Sequence, residues 1–216
     1  PGPTDITTGN VKIKLTPIGG VCSSEADSML ITLTPPSTVF AGVTKSACKN
    51  NSSVILSDAT QNSATSSVSW TGGAGIYFPD NTTLNATYTP TQAELNANQV
   101  TLTLTGLGTT LCVNNVSTVT INYTPIPTLT IGGVDTVCIN NNTINLNGTT
   151  SAGASLNWTS STGCITCFSA PGNGTSTYTP SPTDISNDSV TFTLTASLPG
   201  CLTIDTSKTT FIKQKL

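Results

Sequence analysis

The sequence predicts an all-β fold built from tandem β-sandwich modules of about 90 residues. Three observations lead to this prediction. Short segments alternate apolar and polar residues, the chain is rich in threonine, valine and isoleucine with only 8% charged residues, and an internal repeat runs through all 216 residues. β-Branched residues favour strands, and many of them with little net charge argue against disorder.

The alternation is strictest in two segments that begin at Val100 and Val190. They read VTLTLT and VTFTLT, and VTINY from Val119 continues the pattern. A period of two places one face of a strand on a core and the other face in solvent. We therefore predict a half-buried strand at each of these places.

An internal repeat sets the length of the module. Proline, valine and cysteine recur in the same order at Pro1, Val11 and Cys22, at Pro90, Val100 and Cys112, and at Pro180, Val190 and Cys201. Equivalent residues are 89 or 90 positions apart. Self-similarity at a fixed period is typical of proteins built from structural repeats.

The other half of the repeat occurs twice, and each copy has an early cysteine followed by a tryptophan. Cys48 and Trp70 correspond to Cys138 and Trp158. The repeat therefore divides the chain into three segments, which are the C-terminal part of a truncated repeat at 1–35, a full repeat at 36–125 and a full repeat at 126–216. Because an isolated hairpin is marginally stable in water, we expect the first segment to dock on the following repeat or on another chain.

Each full repeat has the pattern of an Ig-like sandwich. Its short strand segments are separated by Gly, Pro, Asn and Ser turns, which suits about seven strands. Trp70 and Trp158 stand where a third strand would cross the core, so we expect both rings to be buried. From Thr91 to Ala97 the sequence offers a capping threonine and helix-forming residues, and we predict one helical turn there.

The composition excludes two classes of partner. All seven basic residues are scattered lysines, whereas nucleic-acid binding needs clustered positive charge. No stretch of the sequence approaches the roughly 20 consecutive apolar residues that a membrane helix needs. We therefore expect neither a nucleic-acid partner nor a membrane span in this chain.

The sequence does not indicate an enzyme, and we assign no catalytic residue. It contains no histidine, and acid–base catalysis needs ionisable groups with tuned pKa values at close range. Asp184 and Asp188 are the carboxylates that could form a glycosidase pair. The repeat instead places Asp184 on a helical turn, where we expect a solvated carboxylate that stabilises the helix N-terminus.

The seven cysteines favour disulfides in an oxidising compartment over a zinc site. Zinc without histidine needs a cluster of thiolates, and only Cys164 and Cys167 form a CxxC pair. We expect these two cysteines to bond to each other, and we assign no metal ligand. An odd number of cysteines leaves at least one unpaired.

Two symmetric pairing schemes fit the remaining cysteines. In the first, which we favour, each repeat joins its early and late cysteine, so Cys48 pairs with Cys112 and Cys138 with Cys201. Cys22 is then the unpaired cysteine. This scheme closes the longer loops, which in the chain-entropy model gives the larger stabilisation.

In the second scheme the disulfides cross the repeat boundaries. Cys22 then pairs with Cys48, and Cys112 pairs with Cys138. These bonds would attach the leading segment to the repeat that follows. Bonded cysteines need Cα atoms within about 7 Å, so the geometry decides between the two schemes.

The motifs shared by the repeats resemble those of a known family. They are a Val-Cys pair near the module start, a central Trp-Thr-Gly stretch, Asn-Ala-Thr-Tyr-Thr-Pro, a short acidic helix, Val-Thr-Leu-Thr-Leu-Thr and a late cysteine. Together they are similar to the Ig-like or PKD-like repeats of giant Bacteroidetes cell-surface adhesins, including gliding-motility adhesins. The resemblance covers essentially the whole chain. The segment WTSSTGCITC from Trp158 departs from the glycine-rich WTGGAG at Trp70, so we expect a different loop there.

The resemblance implies a structural stalk segment of a repetitive adhesin. Such proteins are exported by the type IX secretion system to the outer cell surface, and they serve surface attachment and gliding motility. The partners that the resemblance implies are neighbouring repeats of the same chain, together with an extracellular polysaccharide or a solid surface.

The resemblance also suggests modification sites. A motif of Asp, then Ser or Thr, then an aliphatic residue occurs at 27–29, 135–137 and 188–190. It resembles the O-glycosylation signal of Bacteroidetes, and the candidate sites are Ser28, Thr136 and Ser189. We predict no cofactor; a structural calcium ion held by Asp and Asn oxygens is the alternative, although no DxDxDG-type loop occurs.

Two other functions remain open. The chain could be a carbohydrate-binding module of a surface adhesin or an accessory module of a secreted hydrolase. Aromatic residues make up only 5% of the chain, so an aromatic binding platform is not evident. Tyr77, Phe78 and Phe168 could be partly exposed, but core packing is the default expectation.

Overall fold

The computed structural model describes residues 1–18, 25–108, 112–140, 143–151 and 153–213. About half of the chain is in strands and about a tenth in helices, and the strands form several sheets. The predicted all-β, Ig-like fold is confirmed. No helix in the described part of the chain combines the length and the hydropathy that a membrane crossing requires.

By their contacts the residues form two compact units. The first consists of residues 1–46 and 53–122, and the second consists of residues 47–52 and 123–216. The second unit thus includes a six-residue segment that belongs, in sequence, to the earlier repeat. The segment boundaries derived from the repeat stay predictions.

The first unit begins with a helical turn and a hairpin. Helix α1 (Pro3–Thr8) leads into strands β1 (Asn10–Leu15) and β2 (Asp27–Thr32), which pair antiparallel with Val11 opposite Ile31. Every residue of β2 is exposed, and Leu15 in β1 is 74% exposed. The two strands therefore do not pack on the following repeat as expected, and docking on another chain stays a prediction.

The rest of the first unit contains ten elements. They are β3 (Val39–Phe40), β4 (Lys45–Cys48), β5 (Val54–Ile55), β6 (Thr60–Gln61), β7 (Ser67–Thr71), β8 (Ile76–Phe78), β9 (Thr87–Thr89), α2 (Gln92–Ala97), β10 (Gln99–Leu107) and β11 (Asn115–Thr124). The strands form a four-stranded sheet in the order β4-β11-β10-β7, a three-stranded sheet β5-β9-β8 and the pair β3-β6. The ends of β4 and β11 pass into the second unit.

The core of the first unit follows the sequence pattern. Val100, Leu102 and Leu104 of β10 are buried, and Trp70 and Tyr88 are fully buried beside them. The indole Nε1 of Trp70 donates a hydrogen bond to a backbone carbonyl, so its one polar atom is satisfied inside the core. The predicted alternation of β10 and the predicted burial of Trp70 are confirmed.

The second unit repeats this arrangement with a smaller set of strands. Its elements are β12 (Leu129–Gly133), β13 (Thr136–Cys138), β14 (Ile144–Thr150), β15 (Ser155–Ser160), a 3₁₀ turn (Ile165–Cys167), β16 (Thr175–Tyr178), α3 (Pro182–Ser186), β17 (Ser189–Ser197) and β18 (Ile204–Lys213). The two sheets have the orders β12-β14-β16 and β13-β18-β17-β15. Strand β13 runs parallel to β18, and the other pairs are antiparallel.

Both sheets of the second unit contribute to one core. Trp158, Tyr178 and Phe192 are buried, and the rings of Tyr178 and Phe192 lie edge to face with their centroids 4.9 Å apart. The backbone of β14 lies close to Gly174, the residue before β16. The amide of Gly148 donates to the carbonyl of Gly174 at 2.7 Å. A side chain at Gly148 would collide with Leu194 and Trp158, so a larger residue there would have to displace core side chains.

Each helical turn leads into a long strand through a left-handed residue. The predicted turn in the first full repeat is confirmed as α2, with Thr91 at its N-cap. Gly9, Asn98 and Asp188 occupy equivalent positions of the three copies and have φ values of 71°, 63° and 53°. Glycine, asparagine and aspartate are the residues that adopt this region most readily, so the repeat keeps the conformation while its residue changes.

Candidate functional site

The loop that follows β4 is held in place by backbone hydrogen bonds. The amide of Lys49 donates to the carbonyl of Thr124 at 3.1 Å, and the hydroxyl of Thr124 donates to the carbonyl of Ala47 at 3.2 Å. The amide of Asn51 closes the turn on the carbonyl of Cys48 at 3.0 Å. These hydrogen bonds hold Cys48 at the end of strand β11, where it is only 1% exposed.

A disulfide joins Cys48 to Cys201, which lie 153 positions apart in sequence and have Cα atoms 4.9 Å apart. Both cysteines belong to the second unit. The Cα separation lies within the usual range for protein disulfides. The bond therefore anchors the 47–52 segment to the loop between β17 and β18.

Amide side chains reinforce the disulfide. Asn50 donates from Nδ2 to the carbonyl of Leu202 at 3.0 Å and accepts from the amide of Leu202 at 3.1 Å. Asn51 donates to the carbonyl of Gly200 at 3.3 Å. Asn50 thus pairs with Leu202 through both groups of its amide, as a neighbouring strand would.

The favoured pairing of Cys48 with Cys112 and of Cys138 with Cys201 is wrong. Cys112 and Cys138 are free thiols, and the disulfide of Cys48 goes to Cys201 instead. In the second unit Cys138 lies opposite Lys213 at the end of β18, whereas Cys201 precedes the start of that strand. Ten strand residues span about 30 Å, so the early and late cysteine of one repeat stand at opposite ends of a strand.

The alternative scheme is wrong as well. It paired Cys112 with Cys138, which are both free, and Cys22 with Cys48, which is bonded to Cys201. Cys22 itself, expected to be unpaired in the favoured scheme, lies outside the described residues.

Cys164 and Cys167 form a disulfide across the 3₁₀ turn, with Cα atoms 5.4 Å apart. The amide of Cys164 donates to the Ser160 hydroxyl, and the carbonyl of Cys167 accepts from the amide of Thr179. The bonded turn stands where the first full repeat has its glycine-rich loop, which is the difference that the sequence led us to expect.

The carboxylate of Asp184 is fully buried, so the expectation that it is solvated is wrong. It accepts hydrogen bonds from the Tyr178 hydroxyl at 2.7 Å, from the Ser181 amide at 2.8 Å and hydroxyl at 2.7 Å, and from the Thr162 hydroxyl at 2.8 Å. Burial raises the pKa of Asp184, but these hydrogen bonds outweigh it and hold the pKa below its ordinary value. The carboxylate therefore stays ionised and ties α3 to the core tyrosine.

The first full repeat contains the same corner with glutamate in place of aspartate. Glu94 accepts from the Tyr88 hydroxyl and the Thr91 amide, both at 2.7 Å, and from the Ala74 amide at 2.8 Å. Burial, and then the hydrogen bond to Glu94, raise the pKa of Tyr88. Both corners are structural, since the carboxylate is occupied by its donors.

The candidate modification sites differ in exposure. Ser28 and Thr136 are exposed on β2 and β13. Ser189 is half-buried, and its hydroxyl donates to the carbonyl of Asn187 at 3.3 Å. O-glycosylation at these three residues stays a prediction.

The remaining candidate sites are a metal site and the aromatic residues Tyr77, Phe78 and Phe168. Among the described residues, no group of three or more histidine, cysteine, aspartate or glutamate side chains could hold a metal ion. Phe168 is buried, Tyr77 is half-buried and Phe78 is 72% exposed, so core packing holds for the first of these only.

The sequence analysis singled out the cysteines but missed the contact that Asn50 makes with Leu202. A signal was present, because Cys-x-Asn-Asn occurs after β4 and again after β13. A motif that recurs beside the early cysteine of each repeat indicates a role tied to that cysteine.

Comparisons with known proteins support the fold. No protein-family description matches the chain, and no curated protein sequence matches it. Among solved structures it is similar to the N-terminal eight Ig domains of Down Syndrome Cell Adhesion Molecule, with a TM-score of 0.52 and 11% identity over 95% of this chain and 27% of that chain. This likeness supports the Ig-like fold of the chain.

Two further structures are similar at lower scores. The extracellular domains 3–5 of Drosophila OTK have a TM-score of 0.44 at 11% identity, covering 90% of this chain and 67% of that one. The protocadherin gamma B4 extracellular domain has a TM-score of 0.43 at 14% identity, covering 96% and 38%. The chain spans well under two thirds of the length of the protocadherin structure.

Proposed function

We propose that this chain is a load-bearing structural segment of an extracellular repeat protein that serves adhesion. The observation that carries the proposal is the disulfide between Cys48 and Cys201, which joins positions 153 residues apart. A tensile force applied to the two ends of the chain passes through this covalent bond. The chain between the two cysteines then bears none of the force.

The disulfide keeps most of the core residues of both repeats out of the path of an applied force. The enclosed segment contains Trp70 and Trp158, which are buried at the centres of the two repeats. Only the residues before Cys48 and after Cys201 can be extended while the bond is intact. At about 3.3–3.6 Å per extended residue, reduction would add roughly 500–550 Å to the length that force can extract.

Two further properties support an extracellular adhesion role. Structural disulfides persist in oxidising compartments such as the cell exterior, and the described residues form two. The solved structure with the highest TM-score reported above is named a cell adhesion molecule and is built from serial Ig domains. A series of repeats that contact mainly their neighbours is a suitable design for a stalk.

A finer proposal is a gliding or attachment adhesin of Bacteroidetes, exported by type IX secretion to the outer cell surface. It rests on the shared repeat motifs, which resemble those of the gliding-motility adhesin SprB. The comparisons with known proteins add nothing to this part. Neighbouring repeats are its first partners, and a polysaccharide or a solid surface is what the whole adhesin would attach to.

Single-molecule force spectroscopy on the full chain tests the load-bearing role. Without reductant we expect the chain to release only the residues before Cys48 and after Cys201. After dithiothreitol it should release roughly 500–550 Å more. The Cys48→Ser variant should release the longer length without reductant, whereas Cys138→Ser, at the equivalent position of the next repeat, should behave as the wild type. Equal lengths with and without reductant in the wild type would overturn the proposal.

A further inference from the structure

We propose that Cys138 is one half of a second disulfide of the same kind, and that its partner is the Cys201 position of a further copy of this repeat. The early cysteine of each repeat would then bond to the late cysteine of the repeat after it. Cys48 with Cys201 is the first bond of that series. The proposed bond links successive repeats into a covalently continuous chain.

Cys138 is held in the same backbone setting as Cys48. The amide of Lys49 bonds to the carbonyl of Thr124 at 3.1 Å, and the amide of Ile139 bonds to the carbonyl of Lys213 at 2.9 Å. Thr124 and Lys213 are both the last residues of the long strand in their repeats. The two cysteines differ in occupancy, because Cys48 is buried in its disulfide and Cys138 is an exposed free thiol.

The side chain that would contact a partner loop is also present beside Cys138. Asn140 occupies the position of Asn50, which pairs with Leu202 through two hydrogen bonds. The Asn140 side chain is exposed and makes no hydrogen bond to another described residue. A groove of about 590 Å³ lies beside it, lined by Cys138 together with the exposed Val134. This groove gives the partner loop a surface to rest on.

Cys112, a free cysteine among the described residues of the first unit, supports the same pairing of early with late cysteines of successive repeats. Cys112 occupies the late position, equivalent to Cys201. Its Sγ lies 3.8 Å from the carbonyl oxygens of Thr34 and Pro35. Thr34 is the equivalent of Thr124, and Cys48, the early cysteine that is bonded to Cys201, lies beside Thr124. Cys112 is therefore placed where an early cysteine of the repeat that contains residues 1–35 would meet it.

Bond formation needs an oxidant, and a small disulfide such as oxidised glutathione supplies it. The Cys138 thiolate attacks glutathione disulfide and releases one glutathione thiolate. The thiolate of the partner cysteine then attacks the Cys138 sulfur of the mixed disulfide and releases the second glutathione. The two protein thiols lose two electrons and two protons, and glutathione disulfide becomes two glutathione thiols.

The inference extends the proposed load-bearing role, because serial bonds would carry force along many repeats. The two can fail separately. Force measurements on the chain as it stands test the Cys48–Cys201 bond, whereas the Cys138 partner is tested by lengthening the chain.

The test is the full chain followed by a second copy of residues 126–216. In that added copy Cys138→Ser removes the competing early cysteine, and Leu202→Val marks the peptide that carries its Cys201 by mass. The protein is folded in a glutathione redox buffer, alkylated without reduction and digested. Mass spectrometry should find Cys48 bonded to the unmarked Cys201 and Cys138 bonded to the marked one.

Three results would overturn the proposal. They are an alkylated Cys138, a Cys138 bonded to the unmarked Cys201 of its own repeat, and a marked Cys201 that is alkylated although hydrogen exchange shows the added copy to be folded. If the added copy does not fold, the original chain is instead incubated with a peptide of residues 198–204, which contains Cys201. In equal concentrations of peptide and glutathione the peptide should occupy Cys138 at least fivefold more than Cys112, and equal occupancy refutes the idea.

The amide contact provides a matched control. Asn140→Ala in the lengthened chain should reduce the equilibrium constant of the Cys138 disulfide against glutathione by roughly three- to tenfold, since two hydrogen bonds to the partner loop are lost. Asn147→Ala, an equally exposed asparagine on β14, should leave that constant unchanged.

Discussion

Replacing Asp184 by asparagine removes the buried charge that ties α3 to the core while changing the size of the side chain very little. Three donors point at Oδ2 of Asp184, namely the Tyr178 hydroxyl and the amide and hydroxyl of Ser181, and the Thr162 hydroxyl points at Oδ1. Asparagine offers one oxygen and one NH₂ group. The hydroxyls can rotate to accept from that NH₂ group, but the Ser181 amide can only donate.

The expected cost follows from these contacts. Losing one hydrogen bond to a charged acceptor costs about 1.5–3 kcal/mol, and weakening the N-terminal cap of α3 costs roughly 0.5–1 kcal/mol. Asp184 is fully buried, so solvent does not screen the loss. We expect Asp184→Asn to lower the free energy of unfolding of this unit by about 2–4 kcal/mol.

Pulsed hydrogen–deuterium exchange across a urea titration measures this quantity in peptides from β17. The matched control is Asp188→Asn, which makes the same chemical change at an exposed residue four positions further on. Its left-handed φ of 53° is compatible with asparagine, so we expect a change below about 0.5 kcal/mol. Equal effects of the two substitutions would refute the role assigned to the buried carboxylate.

The difference between wild type and Asp184→Asn should depend on pH. The pKa of Asp184 is lowered from an ordinary value of 3.8, so the unfolded chain binds the proton first as the pH falls. The stabilisation is fully present above about pH 4 and is lost as the pH falls through the folded pKa. A difference that stays constant down to pH 2 would contradict this account.

Three further outcomes are expected. Glu94→Gln should lower the free energy of unfolding of its repeat by about 1–2 kcal/mol, which urea unfolding can measure. The effect should be smaller than that of Asp184→Asn because Glu94 is only half-buried. Gly148→Ala should destabilise by about 1–3 kcal/mol, because the added methyl group collides with Leu194, whereas Gly172→Ala meets no close neighbour and should leave the calorimetric Tm nearly unchanged. Iodoacetamide without reductant should label Cys112 and Cys138 but neither Cys48 nor Cys201, and labelling of Cys48 would contradict the observed pairing.

Local features of the fold were predictable because each depends on a few adjacent residues. The alternation in β10 fixes which side chains enter the core, and Trp70 is large and apolar enough to be buried wherever a core forms. The helical turn α2 follows from Thr91 and Glu94, whose side chains cap it within four residues.

The candidate site depended on distances that spacing along the chain does not give. Early and late cysteines of one repeat seemed natural partners, yet a ten-residue strand separates them. Asp184 was expected to be solvated because helix-capping carboxylates usually are. Tyr178, six residues earlier, turns its hydroxyl inward and draws the carboxylate into the core.

The sequence by itself determined the fold class, the repeat and the faces of the long strands, because periodicity and repetition are properties of the chain alone. Only the tertiary structure decided that Cys48 bonds to Cys201 across 153 residues and leaves Cys112 and Cys138 free. It alone also decided that Asp184 is buried. The reason is physical, since disulfides and buried hydrogen bonds require atoms to meet in space, and many pairings of the same cysteines share one sequence pattern.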